Sequence, residues 1–296
     1  MATTDFAATV VHNFIYVDGG EFSFLNNGTP NYEYCTIESE VRRFPIFTDF
    51  HVLANTILSI DLSQSWTNST VKILSTAKPT GCASLNGPSL WYNPQEGALY
   101  SGFAGWASNF VTKDSSLNNI SIWTFTPDGT GSGAWKDVIP SGSPALASLN
   151  RPSQVFQAFG DDSAWVLGGF DSYDPGQYPY LPSMVHFNMS SRTFANNSTP
   201  ANLANGGAVT NGAMHYVPSF GPQGLFVAMG GDIIQNVPGL ISFDTVAVFD
   251  PAKQEWFNQT TTGSPPKSRL EFCTAGINST NGTYEMYVKV DHRCLG

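Results

Sequence analysis

Three polar side chains have the chemistry and the setting for catalysis: His51, Arg151 and Tyr173. A histidine titrates near neutral pH and can serve as general acid or base, and His51 lies in a long aromatic-rich loop. Arg151 stands just ahead of a strand-like run, where a guanidinium can hold an anionic or carbonyl oxygen; Arg269 precedes another such run at a similar offset. Phe170, Asp171 and Tyr173 follow a strand-like run closed by Gly168-Gly169, and Asp232 follows Gly230-Gly231. Asp18 and Glu21 flank Gly19-Gly20 in the same manner. Each of these residues also has an ordinary reading. A lone loop histidine is commonly solvated, and an arginine at a strand end commonly ties neighbouring backbone carbonyls. His215, inside an apolar run, is expected to pack in the core.

Sequence motifs narrow the chemistry further. Gly-x-Ser-x-Gly, His-Glu-x-x-His, a Walker loop and Gly-x-Gly-x-x-Gly are all absent. Gly129-Thr130-Gly131-Ser132-Gly133 sits between two strand-like runs and reads as a hairpin. The four cysteines, Cys35, Cys82, Cys273 and Cys294, form no Cys-x-x-Cys pair. Structural disulfides in any of three connectivities, or buried thiols, are expected rather than zinc. Neither a metal nor a cofactor is expected.

The elements that must position these residues repeat along the chain. Between Gly224 and Gln259 an apolar run is stopped by Gly230-Gly231, a second ends in Asp250-Pro251, and a third is opened by Trp256. Short apolar runs punctuated by Gly, Pro and Asp are strands and turns. The same order recurs from Phe14 through Gly19-Gly20 to Trp66, from Ala98 through Gly102 to Trp135, and from Ala164 through Gly168-Gly169 to Phe194. A period of roughly 50 to 80 residues built from four short strands marks a β-propeller. The unit resembles the kelch repeat, and nearly the whole chain resembles the secreted kelch-type proteins of filamentous fungi. The expected fold is therefore all-β, a kelch-type β-propeller in one domain over 1–296. Its four full blades span about 7–75, 89–139, 154–197 and 213–260, with a partial fifth at 270–290. Beyond Tyr284 the sequence runs into Lys289-Val290-Asp291 rather than another glycine pair. A piece of a longer closed ring, or an imperfectly closed one, is expected, as a monomer or an edge-paired oligomer.

Composition bounds the partners. Charged residues make up 12% of the 296 residues, about half the usual share. A net charge of −10, from 13 Lys and Arg against 23 Asp and Glu, argues against nucleic acid. Nine positions satisfy the N-glycosylation rule: Asn27, Asn68, Asn119, Asn188, Asn196, Asn197, Asn258, Asn278 and Asn281. They point to a secreted glycoprotein, although the chain starts without a signal peptide pattern. No apolar run reaches transmembrane length.

In a propeller the loops between second and third strands share one face. Here those over 21–54, 105–118 and 170–183 carry many aromatics, among them Phe22, Tyr32, Trp106 and Phe170. Loops on a rigid scaffold are where binding residues lie. A small apolar or aromatic ligand is expected, bound by these four with Asp171, Asp232 and Arg269. The resemblance extends to the hetero-Diels-Alderases of tropolone sesquiterpenoid pathways, and so implies a secondary-metabolite enzyme joining a tropolone quinone methide to a humulene-type alkene. It also extends to non-catalytic cell-surface kelch proteins that bind a glycan or a protein.

Overall fold

The computed structural model describes residues 2–26, 29–31, 55–106, 120–139, 151–171, 184–197, 203, 209–233 and 239–289. Every regular element among them is a β-strand. The chain forms two compact units, Met1–Arg151 and Pro152–Gly296.

The first unit holds two blades. One is the sheet β1-β2-β4-β5, made of β1 (Ala2–Val11), β2 (Phe14–Asn26), β4 (Thr56–Asp61) and β5 (Ile73–Ala77), with β3 (Thr29–Asn31) paired to the far end of β2. The other joins β6 (Leu90–Asn93), β7 (Ala98–Ser101), β8 (Ile122–Pro127) and β9 (Gly133–Val138) in chain order.

The second unit begins with β10 (Pro152–Ser153), β11 (Phe156–Gly160), β12 (Ser163–Leu167), β13 (Phe170–Asp171), β14 (Met184–Asn188) and β15 (Thr193–Asn197). It continues with β16 (Val209–Thr210), β17 (Ala213–Val217), β18 (Leu225–Met229), β19 (Asp232–Ile233), β20 (Gly239–Leu240), β21 (Thr245–Asp250) and β22 (Glu255–Thr260). A final hairpin is β23 (Cys273–Asn278) and β24 (Tyr284–Lys289). The third and fourth blades are β11-β12-β14-β15 and β17-β18-β21-β22, and all their neighbours are antiparallel.

Turn chemistry explains why strands three and four of a blade form a hairpin. Each third strand reaches an Asp or Asn whose side-chain oxygen accepts backbone N–H groups two or three residues on. Asp61 accepts from Ser63 at 2.8 Å, Asp128 from Thr130 at 2.8 Å, Asn188 from Ser191 at 2.7 Å and Asp250 from Ala252 at 3.0 Å. This is the Asx turn, which substitutes for a backbone turn bond.

A cross-strand aromatic pair then locks the hairpin. Phe125 faces Trp135 (5.1 Å), Phe187 faces Phe194 (4.3 Å) and Phe249 faces Trp256 (5.1 Å), each pair in direct register. Such pairs add about 0.5–1.5 kcal/mol beyond area burial. The first blade departs from the sequence reading. Ile60 faces Ile73 there, while Trp66 lies in the turn at 46% exposure and takes no part in the pairing. Gly131 of the neighbouring hairpin packs on that blade instead, its carbonyl accepting from Ser59 Oγ at 2.6 Å.

The glycine pairs join successive blades. Gly19 and Gly20, Gly168 and Gly169, and Gly230 and Gly231 all have φ between 59° and 90°, the left-handed region that side chains avoid. The N–H of the second glycine donates across the junction: Gly20 to Leu85 (3.0 Å), Gly169 to Val209 (2.8 Å) and Gly231 to Arg269 (2.8 Å). A second chain of bonds runs from Glu271 N–H to Asn211 C=O (2.9 Å) and from Asn211 N–H to Gln154 C=O (3.0 Å). These three residues are left-handed as well, two positions ahead of β11, β17 and β23. The apolar seam between the third and fourth blades is built on Phe156, Trp165, Leu167, Phe226 and Phe249.

Candidate functional site

Immediately past each glycine pair the chain re-pairs with the segment that leads into the first strand of a blade. β13 pairs β10, and β19 pairs both β16 and β20. In the second blade Asn86 and Trp106 exchange two backbone bonds of 2.8 and 3.0 Å. In the first blade the extension of β2 pairs Phe22 with Thr3. Phe22, Trp106, Phe170 and Asp171, and Asp232 therefore all lie at the base of their loops. Each loop leaves a platform with both ends fixed.

The side chains on these platforms are largely engaged. Trp106 lies over Gly87, where a Cβ would come within 2.5 Å of the indole. Thr210 Oγ1 donates to Asp232 Oδ1 at 2.6 Å, and Asn211 Nδ2 reaches the same oxygen at 3.4 Å. Asp171 is buried and Asp232 half-buried. Asp232 is the first residue past its pair and Asp171 the second, so they do not take equivalent faces.

Arg151 and Arg269 do not match either. Arg151 is three residues ahead of the left-handed Gln154, and Arg269 two ahead of Glu271. In extended chain one residue turns a side chain to the opposite side. Arg151 is fully buried, with one guanidinium nitrogen donating to the Gly102 carbonyl and the other 3.4 Å from Ser121 Oγ. The second blade lacks a glycine pair, and this guanidinium takes up the carbonyl of its single glycine. Arg269 folds back onto the Lys267 carbonyl (2.9 Å), and its own carbonyl receives the Gly231 N–H. His51, Tyr32 and Tyr173 lie outside the described residues, and of Phe22 only the backbone is described.

Sequence reasoning missed a buried polar cluster in the first unit. Asp18, next to Gly19, pairs with Lys78 Nζ at 2.6 Å and accepts from Ser101 Oγ at 2.5 Å, with both charged side chains out of water. Lys78 also donates to the Ala83 carbonyl (3.1 Å) and lies 5.8 Å from the Trp135 ring centre. Cys82 adjoins the cluster, and burial pushes its thiol up to about 12 despite the Lys78 charge. A nucleophile needs the thiolate, so this cysteine is inert at neutral pH. Nothing in the sequence pairs Asp18 with Lys78, 60 residues away.

Two histidines outside the loops have partners of their own. His186 stacks on Trp165 (4.1 Å between ring centres) and its Nε2 is 3.1 Å from Ser163 Oγ. Asp162, however, touches the serine rather than the imidazole, so nothing orients the ring as a base. His215 bridges Thr274 Oγ1 (3.3 Å) and Tyr284 OH (2.8 Å), fastening the last hairpin to the fourth blade. Burial lowers the affinity of both imidazoles for a proton.

Among the described residues no group of three or more His, Cys, Asp or Glu side chains is placed to hold a metal ion. Cys82 and Cys273 are free thiols, so the expected bridges do not involve them; Cys35 and Cys294 lie outside the described residues. Of the glycosylation candidates, Asn68, Asn258, Asn278 and Asn281 are exposed. Asn188 is half-buried and donates to Asp162 at 3.1 Å. Asn196 and Asn197 lie on β15, and Asn27 and Asn119 are outside the described residues. Among the described residues no helix is long and apolar enough to cross a membrane.

No family model matches the chain. The chain is similar to a kelch repeat-containing protein of Arthroderma benhamiae, 24% identical over 265 residues. The match covers 76% of this chain and 38% of that protein, so the chain spans about two-fifths of that relative's length. It is also similar to the solved structure of YjhT, with a TM-score of 0.54 at 11% identity, over 92% of this chain and 69% of that one. The glycine junctions, the four-stranded antiparallel sheets and these likenesses agree: the fold is a kelch-type β-propeller, with four full blades and a partial fifth of which β23 and β24 are described.

Proposed function

We propose that this chain is a binding propeller whose ligand, apolar or aromatic, is contacted by the loops that leave the glycine pairs. The observation behind this reading is the fixed platform past each junction, with β13 on β10 and β19 on β16 and β20. A rigid base lets a loop present side chains without paying the full cost of ordering it on binding. The aromatic content of those loops, from Phe22 and Tyr32 to Trp106, Phe170 and Tyr173, sets the ligand class.

The finer reading is a pericyclase that couples a tropolone quinone methide to a humulene-type alkene. Holding two apolar partners in reactive geometry supplies about 7–11 kcal/mol of the barrier by itself, and the reaction then needs only one or two donors to polarise the tropolone oxygens. His51 and Tyr173 are the residues assigned to that task. The second reading is non-catalytic binding of a glycan or protein outside the cell. The burial of Arg151 and its bond to Gly102 favour it, because that donor is taken up by a backbone carbonyl. The exposed candidates Asn68, Asn258, Asn278 and Asn281 support a secretory location for either reading.

Native mass spectrometry after incubation with a tropolone alcohol and humulenol decides between them. Retained ligand with stereodefined adduct above the buffer control supports the pericyclase. Retention without adduct, or binding only of oligosaccharides, supports the second reading. Retention of neither class by protein shown to be folded removes the proposal.

A further inference from the structure

Past the glycine pair of the fourth blade three short strands lie side by side, in the order β16, β19, β20. Register places Asp232 of the middle strand opposite Thr210 on one side and Leu240 on the other, and residues directly opposite share a face of a sheet. The reverse face belongs to the core: Val209 is fully buried there, and Ile241 packs against the same cluster. Thr210, Asp232 and Leu240 therefore line one face together. Their mount is fixed at Gly231, whose N–H donates to the Arg269 carbonyl at 2.8 Å and whose carbonyl accepts from the Ile241 N–H at 2.9 Å.

Exposure rises across this face. Thr210 is buried, Asp232 half-buried and Leu240 48% exposed. The carboxylate between them is engaged through one oxygen only. Thr210 Oγ1 at 2.6 Å and Asn211 Nδ2 at 3.4 Å both meet Oδ1, and among the described residues no hydrogen bond or salt bridge reaches Oδ2. A carboxylate offers about four lone-pair sites, so an oriented acceptor is left beside an exposed apolar side chain. Phe170, the first residue past Gly169, holds the matching place in the third blade, opposite Ser153, and is half-buried. The bond from Gly169 N–H to the Val209 carbonyl, 2.8 Å, ties that platform to β16.

We propose that Asp232 Oδ2 accepts a hydrogen bond from a hydroxyl carried on an apolar ring, with Leu240 packed against that ring. The inference rests on the binding reading above and names the polar group its ligand must carry. A hydroxyl donating to a carboxylate makes a short, charge-assisted bond, about twice as strong as a neutral one. A ring bearing only acceptors, such as an ether, would cover Oδ2 without pairing it, and a desolvated acceptor left unpaired is costly. Asp232 is thus a specificity-determining residue as well as a contact. A cationic amine gains charge attraction, but it gives up far more hydration than a hydroxyl when brought against Leu240 and Phe170. Thr210 and Asn211 act as positioning residues, because they hold Oδ1 and so aim Oδ2.

The test is equilibrium dialysis of the whole chain against three probes that share one ring system: 2-naphthol, 2-methoxynaphthalene and the cationic 2-naphthylmethylammonium. Asp232→Asn keeps an oxygen for Thr210 and Asn211 while replacing the open acceptor with a donor, and Leu240→Ala changes an exposed side chain at little cost to the fold. The expected result is that 2-naphthol binds about tenfold more tightly than the ether. Asp232→Asn should abolish this preference, and Leu240→Ala should weaken both neutral probes about twofold to fivefold. Equal binding of naphthol and ether by wild type overturns the hydroxyl inference while leaving the apolar-binding reading intact. A preference that survives Asp232→Asn, or tighter binding of the cation than of the naphthol, also overturns it. No binding of any probe up to its solubility, by protein shown to be folded, removes both the inference and the reading beneath it.

Discussion

Strands β18 and β24 hold the same place in successive blades, each the second strand behind a turn, yet their surroundings differ. Phe226 on β18 is 1% exposed and its counterpart Met286 on β24 is 37% exposed. On the face they share, both strands are apolar, with Phe226 and Ala228 on β18 and Met286 and Val288 on β24, although β18 is apolar throughout and β24 carries Glu285 and Lys289 on its other face. What separates them is the neighbour: β18 has β21 on its other side and a blade on each face, whereas among the described residues β24 has β23 and one blade. Alternation in the sequence therefore states what a strand can bury. Packing against the next sheet decides how much it does bury.

The widest test of that contrast is a pair of truncations. Phe226→Ala should cost about 3–5 kcal/mol and Met286→Ala under about 1 kcal/mol, read as shifts in the urea midpoint. Comparable losses would contradict the contrast. Glycines sharpen it next. A Cβ on Gly231 would stand 2.7 Å from the Gly212 nitrogen and against the Thr210 carbonyl, at φ 82°. Gly282 in the hairpin turn has the same φ of 82° but open space around it. Alanine should cost about 2–4 kcal/mol at Gly231, where strain and overlap add. At Gly282 it should cost about 1 kcal/mol, strain alone. Thermal melts of the two variants measure the difference.

The hairpin's attachment should respond to pH. Burial lowers the proton affinity of His215 from the ordinary value of 6.5, so the unfolded chain binds the proton first as pH falls. This contribution is complete above 6.5 and is lost as pH drops through the lower folded value. Tyr284→Phe, which removes the 2.8 Å bond to His215, should cost about 0.5–1.5 kcal/mol at neutral pH. Denaturant midpoints between pH 7 and 5 in wild type and His215→Gln check the sign: the variant should lose less on acidification. The smallest stability effect but a large kinetic one separates the thiols. Cys273 is exposed, while burial pushes Cys82 up to about 12. Iodoacetamide at pH 8 should label Cys82 on the order of 10³-fold more slowly than a thiol of ordinary pKa, because its thiolate fraction is smaller by that factor.

Much of this fold was legible in the sequence because the punctuation is physical. Gly-Gly marks left-handed junctions, and Asp250-Pro251 and its counterparts mark Asx turns. Trp66 misled because tryptophan elsewhere opens a fourth strand, whereas here Ile60 and Ile73 take the aromatic pair's place. The two-residue ladders β10–β13 and β16–β19 are too short to show a period. Gln154 and Glu271 adopt left-handed backbone that their side chains do not advertise; Asn211 alone among the three is a usual occupant. At the candidate site the positions after the glycine pairs were readable, but their partners were not. Asp18 with Lys78 and Arg151 with Gly102 depend on which distant chain segments meet, which no local pattern records.

Amide hydrogen exchange across β18 and β24, resolved residue by residue in the isolated protein, tests the contrast most directly. Protection at Phe226 through Met229 should be continuous, because both edges of β18 are paired. In β24 the amides of Glu285, Tyr287 and Lys289 should be protected while those of Met286 and Val288 exchange as freely as a loop. Uniform protection from Glu285 to Lys289 would contradict the contrast.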